Sequence, residues 1–266
     1  MGKLWAVIGS DQTSIDDCVE IIKIDPALTA RVFRLANSAA YNAKAANVSE
    51  AILKMGFAQT RQVVFNAGVF EHFAKTELPP EMSHFWVRNI FTARLAEQIA
   101  AAYGAASGSE YLAGLLHDVG WLLLAASFRE ELDLVAQNPS HSAEKETLSF
   151  THSEISGAVC ARSLLPPVVV NAVVHHHSPL FLDDNRGPRR ENPAFLGVIL
   201  CLCDKLADAA DLCIPWQKDK KIADIDGLRE TAEAQWLAQL GDRISYDSLV
   251  SQELPKAKEI ATAFFS

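Results

Sequence analysis

The residues with chemistry to offer lie in the second half of the chain. His117-Asp118 sets an imidazole beside a carboxylate inside the apolar stretch from Leu112 to Leu123. His152 stands where a helix should begin, His175-His176-His177 where another should end, and Asp204 interrupts the apolar run from Phe195 to Leu206. Neutral imidazoles and carboxylates ligate transition metals, and a metal-bound hydroxide can attack a phosphoester. Each feature also has a plainer reading. The His117-Asp118 pair can lock two helices together, the histidine run can cap a helix C-terminus, His152 can be solvated, and Lys205 beside Asp204 can be a snorkelling neighbour. Asp118 constrains the choice, because an unpaired carboxylate among leucines costs several kcal/mol. It needs a cation or a set of hydrogen-bond donors, and Gly114 and Gly120 nearby allow another backbone or a ligand to come close.

The elements that must position these groups read as helices throughout. Asp25-Pro26 is a cap followed by proline at the first helical position, with Leu28, Val32 and Leu35 at helical spacing. Ser14 with Asp17 suggests a capping box. Val48 to Met55 should stop at Gly56, Phe57 to Phe73 should form an amphipathic helix, and Leu78-Pro79-Pro80 breaks the chain. A long helix is predicted from about Glu81 to Tyr103, ending at Gly104. Ser109 can cap the next, which should run unbroken through His117-Asp118 to Leu123. Thr151 with Glu154 is a capping box for a helix reaching Leu164 or Leu165. Pro166-Pro167 opens a helix ending near His177, and Asn192-Pro193 opens one that is apolar through Ala207. Ser178 to Glu191 reads as an exposed loop. Asp226 to Leu240 and Ser245 to Phe265 are amphipathic, with Pro255 expected to kink or restart the last helix. The fold class is all-α.

Composition narrows the function. Apolar residues make up 49% of the 266 positions, enough for a core. The net charge of −9 and a sequence pI near 5.4 argue against a nucleic-acid surface. The five cysteines show no metal spacing, and Cys201 and Cys203 sit in an apolar run, so reduced thiols in the cytoplasm are expected. No stretch is apolar enough to span a membrane, and no signal peptide or myristoylation pattern is visible at Met1.

The order of the chemical residues along successive helices carries a resemblance. Leu115-Leu116-His117-Asp118-Val119-Gly120 resembles the HD motif of the HD-domain phosphohydrolase superfamily. Asp25-Pro26-Ala27-Leu28-Thr29-Ala30-Arg31, Leu35-Ala36-Asn37-Ser38-Ala39, and Ala51-Ile52 with Met55-Gly56 resemble the N-terminal signature of the HDOD family. His152, Leu165-Pro166, His176-His177 and Cys203-Asp204-Lys205-Leu206-Ala207 are similar to later elements of that family, so the likeness covers roughly Ser14 to Ala210. It implies a multi-helix HDOD/HD-like fold: an N-terminal helical subdomain at 1–78 packed on an HD-like helical subdomain at 79–210, with a C-terminal helical extension at 211–266.

One departure decides the chemistry the resemblance implies. Catalytic HD hydrolases use a further histidine on the helix before the HD pair, and in Phe85-Trp86-Val87-Arg88-Asn89 its place falls on Arg88. Arginine stays charged and has no lone pair for a metal. Two unit charges 4 Å apart interact by about 4 kcal/mol at an effective dielectric of about 20, and a divalent ion doubles the repulsion. Arg88 pointing inward would oppose a metal and neutralise Asp118 itself. Pointing outward, it would leave His117, Asp118, His152, His176 and Asp204 to hold one. The resemblance therefore implies a non-catalytic regulatory module of a signalling pathway that acts on a protein partner, with cyclic-nucleotide signalling as a setting. No cofactor, nucleic acid or membrane is expected. The alternatives are an HD-type phosphohydrolase using iron, manganese, nickel or zinc, and a module in which Arg88 binds a phosphate-bearing ligand without cleaving it.

Overall fold

The structure, a computed structural model, describes residues 48–60, 62–64, 66, 82, 84–106, 109–163, 165–185, 187–214, 216, 225 and 227–265, with positions 14, 19, 22, 29, 32 and 36 before them. The expected helix start at Asp25-Pro26, the Asp17 end of the Ser14–Asp17 capping box, and the break at Leu78-Pro79-Pro80 lie outside the described residues. The chain divides into two compact units, Met1–Lys75 with Lys258–Ser266, and Thr76–Ala257. Among the described residues there is no strand, and the fold is all-α.

In the first unit α1 (Val48–Met55) ends as expected at Gly56, which takes a left-handed φ of 84°. Ala51, Ile52 and Met55 on α1, together with Val63 and Val64, are buried.

The second unit carries the chemistry. Its elements are α2 (Phe85–Ala102), α3 (Ser109–Leu116), α4 (Gly120–Ser127), α5 (Arg129–Val135), α6 (His141–Leu148), α7 (His152–Arg162), α8 (Pro167–Val174), α9 (Phe195–Ala209), α10 (Ala232–Ala238) and, as far as Ala257, α11 (Tyr246–Phe265). Short 3₁₀ turns lie at Pro179–Leu182 and Gly227–Glu230. Helix α2 is buried almost all round, packing on α3 and α9, while α8 packs on α3, α7 and α9. The close α2–α3 crossing depends on Gly114, where a Cβ would lie 2.5 Å from the Ala93 Cα. Asn89 reinforces the crossing by donating to the Leu115 carbonyl at 3.0 Å.

Three local expectations are corrected. The helix expected to run through His117-Asp118 breaks there, and α3 and α4 flank a tight turn closed by i→i−3 bonds from Val119, Trp121 and Leu122. The break turns His117 back so that its Nδ1–H donates to the Gly114 carbonyl at 2.7 Å, one of the acceptors left over at a helix end. Second, α11 is one helix across Pro255, which tolerates the lost i→i−4 bond. Third, the Ser178–Glu191 loop is not exposed throughout: Pro179 is buried and most of its other described residues are half-buried. Asn192 Nδ2 donates to Asp183 at 2.8 Å and to the Gly187 carbonyl at 3.1 Å, and the Trp236 indole donates to Asp183 at 3.1 Å. The Thr151–Glu154 capping box forms as read, and Cys201 and Cys203 are buried free thiols. No single described helix is long and apolar enough to cross a membrane.

Candidate functional site

Helices α2, α3, α6, α7, α8 and α9 converge on one buried cluster of charge. Arg88 projects from α2 and is fully buried. Its Nε–H donates to Asp118 Oδ2 at 3.2 Å, and its Nη1 donates to Asp208 Oδ1 at 2.7 Å and to the Leu212 carbonyl at 2.9 Å. Its Nη2 donates to Asp204 Oδ1. One planar fork thus meets three carboxylates and a backbone carbonyl, a geometry that guanidinium provides and ammonium does not. Burial works to lower the Arg88 pKa, but Asp204, Asp208 and Asp118 more than offset it and hold the cation charged.

His117 faces the same carboxylates, with Nε2 at 3.2 Å from Asp118 Oδ2 and 3.4 Å from Asp204 Oδ1. With the Gly114 carbonyl on its other nitrogen, the ring meets acceptors on both sides, which favours imidazolium. Burial opposes that charge, yet Asp118 and then Asp204 carry the His117 pKa up to about 10. Burial tends to raise Asp118 and Asp204 in turn. His117 and His152 hold Asp118 well below the usual carboxylate range, and Arg88 followed by His117 does the same for Asp204.

The capping box at Thr151 starts α7 so that His152 enters fully buried, not solvated. The Glu144 carboxylate of α6 accepts from both the His152 backbone N–H and its Nδ1, each at 2.8 Å. The His152 Nε2 lies 3.4 Å from Asp118 Oδ1, and the ring stacks on Trp121 with centroids 4.4 Å apart. Against the pull of burial, Glu144 and then Asp118 raise the His152 pKa to about 9.

The histidine run does not cap α8 at the surface. His176 is fully buried and its Nδ1–H donates to the Val173 carbonyl at 2.6 Å. Burial, together with the charge on His117, depresses its pKa to about 3, so the ring is neutral. Its Nε2 then presents a lone pair 3.7 Å from Asp118 Oδ1, and neither atom has a hydrogen-bond partner.

All six residues singled out in the sequence, Arg88, His117, Asp118, His152, His176 and Asp204, therefore meet at one centre. Sequence reasoning missed four that complete it. Asp208 is four residues beyond Asp204 on α9, and that i,i+4 spacing was the available signal. Glu144, Trp121 and His141 reach the cluster only through the packing of α4, α6 and α7, and no spacing rule announces them. Among the described residues, three overlapping sets have ligand atoms close enough for a metal: His117, Asp118 and His176; His176, His177 and Asp204; and His141, His152 and His177.

Stability should peak near pH 6.5. In the folded state His117 and His152 keep their protons to about 10 and about 9, against an ordinary value of 6.5, so they stabilise fully below 6.5 and lose this as pH rises through 9 to 10. His176 acts oppositely, since staying neutral costs stability as pH falls from 6.5 towards 3. Urea midpoints measured from pH 4 to 10 check this, and a midpoint that climbs steadily from pH 7 to 10 would contradict a charged His117.

Comparison with known proteins places this geometry in context. Residues 1–179 match the model of the HDOD domain. The match ends before Asp204 and Asp208. A curated protein of Treponema pallidum is 25% identical over 212 residues, 76% of this chain, and the chain spans 41% of that protein's length. Three solved structures are similar in fold. An HDOD domain protein from Geobacter sulfurreducens has a TM-score of 0.77 at 21% identity, covering 98% of this chain and 89% of that one. A candidate phosphohydrolase from Shewanella amazonensis has a TM-score of 0.74 at 20% identity, covering 99% and 92%. A candidate signal-transduction protein from Marinobacter aquaeolei has a TM-score of 0.71 at 20% identity, covering 97% and 59%.

Proposed function

The chain belongs to the HDOD domain family, and on that footing we propose that it is a non-catalytic regulatory module of a cytoplasmic signalling pathway, acting through contacts with a partner protein. One observation carries the reading: the Arg88 guanidinium lies among Asp118, Asp204 and Asp208. The donor set at the HD pair does not fit a divalent ion in this arrangement. Asp118 Oδ2 and Asp204 Oδ1 already accept from Arg88 and face His117, and a fixed cation repels a second one. Arg88 takes over the charge compensation that a metal would supply and contributes no Lewis acid or activated water. The centre then serves as a buried lock between helices. The Marinobacter neighbour, described as a candidate signal-transduction protein, agrees with this setting.

The same site supports a second reading through Asp118 Oδ1 and His176 Nε2. His176 Nε2, a buried acceptor without a donor, lies 3.7 Å from Asp118 Oδ1, a pair of atoms that a metal or its water would join, and the Shewanella neighbour is described as a candidate phosphohydrolase. Activity separates the two. The purified chain with manganese, nickel or iron is expected to show no hydrolysis of nucleotides, cyclic dinucleotides or generic phosphodiesters. Reproducible turnover that disappears in Asp118→Ala would establish the hydrolase instead.

A further inference from the structure

A pocket of about 200 Å³ lies among Trp121 of α4, Val135 of α5, His141 and Glu144 of α6, His177 in the turn after α8, and Trp216. That is smaller than the roughly 300–1,000 Å³ of sites for drug-sized molecules, and it leaves room for one small ring. Val135 and Trp216 supply apolar wall, and Trp216 stacks on Trp121 with centroids 5.7 Å apart.

Most polar groups on the wall already have partners. His177 and His152 share an ordinary N–H···N hydrogen bond, with their Nε2 atoms 3.0 Å apart. His141 Nε2 lies 3.5 Å from Ser153 Oγ, and Ser140 Oγ accepts from the Ala143 N–H at 3.1 Å. Two groups are left over. The Trp121 Nε1–H belongs to a fully buried ring and has no acceptor. Glu144 uses Oε2 for the His152 backbone N–H and Nδ1, while its Oε1 accepts no hydrogen bond among the described residues. A buried donor without an acceptor carries its full desolvation penalty, so it marks a place where a partner is missing.

One spare donor and one spare acceptor in a ring-sized pocket select among ligands. A carboxylate would satisfy Trp121 but meet Glu144 with like charge. An amidinium would suit Glu144 but leave Trp121 without an acceptor. A primary amide offers both, a carbonyl to accept from Trp121 and an NH2 group to donate to Glu144. We propose that this pocket binds a small, uncharged aromatic carboxamide, with its carbonyl on Trp121 Nε1–H, its amide nitrogen on Glu144 Oε1 and its ring against Trp216 and Val135. Such a ligand gives the chain a small-molecule input. The site goes beyond the regulatory reading and stands without it.

The test titrates the tag-free full chain, isotope-labelled on nitrogen, with benzamide, benzoate and benzamidine. The three share a ring and a shape and differ only in charge and in the hydrogen bonds they offer. Saturable binding of one benzamide per chain is expected, with benzoate and benzamidine each at least about 10-fold weaker, the effect of one hydrogen bond left unmade. Of the five tryptophan indole N–H resonances, that of Trp121 should move most with benzamide. Trp121→Phe keeps an aromatic ring without the N–H, and should remove the advantage of benzamide over benzamidine. The indole resonance of the unmutated chain gives the answer even if that variant does not fold. Absence of saturable benzamide binding up to its solubility, equal affinity for benzoate, or a Trp121 indole resonance that stays in place would overturn the site.

Discussion

Replacing Arg88 with alanine is expected to destabilise the protein by about 3–5 kcal/mol, the usual cost of stranding one side of a buried ion pair. The side chain is fully buried, so water cannot replace its charge cheaply. Asp118, Asp204 and Asp208 would lose their common cation, and His117 would remain near only the first two. Neutralising carboxylates should therefore restore stability in steps. Arg88→Ala with Asp118→Asn should recover part of the loss, and adding Asp204→Asn should recover more, because each step removes a carboxylate that has lost part of its compensating charge. Urea melts of metal-stripped wild type, the single variants and the combinations measure the coupling. Strict additivity between positions 88 and 118 would show that the guanidinium does not compensate Asp118, and the account of the filled centre would fail.

The second large effect is expected at Gly120, the first residue of α4. A Cβ there would lie 2.1 Å from the His152 carbonyl oxygen and 2.9 Å from Ser156 Oγ, which accepts from the Gly120 N–H at 2.8 Å. The nearer obstacle is backbone at the start of α7, so no rotamer change relieves it. Gly120→Ala should cost about 3 kcal/mol or more, the upper range for overpacking a dense core. It should also displace His152 from Trp121 and Asp118, lowering near-UV ellipticity more than far-UV ellipticity. Truncating the softer neighbour with Ser156→Ala should not rescue the variant. A loss under about 1 kcal/mol would mean that α4 and α7 can separate freely and that the glycine is not needed for the close approach.

Much of this was written locally in the chain. Caps, helix stops and apolar periodicity act within a turn or two, so Thr151 with Glu154, Gly56 at the end of α1, and the buried run of α9 could all be read directly. Asp118 was legible as a residue in need of a partner because burying a carboxylate is costly in any fold. Arg88 was singled out by its position in a family pattern, and its direction was left open. Packing decided that direction: α2 is buried almost all round, and Arg88 turns towards the carboxylates of α9 and the HD turn. Tertiary structure alone decided the rest. The break at His117-Asp118 exists because a tight turn lets the imidazole take the Gly114 carbonyl, an advantage invisible to apolar periodicity. Glu144, Trp121 and His141 join His152 and His177 across three helices and two turns, and contacts between segments so far apart in sequence follow from how the helices pack, not from any spacing along the chain.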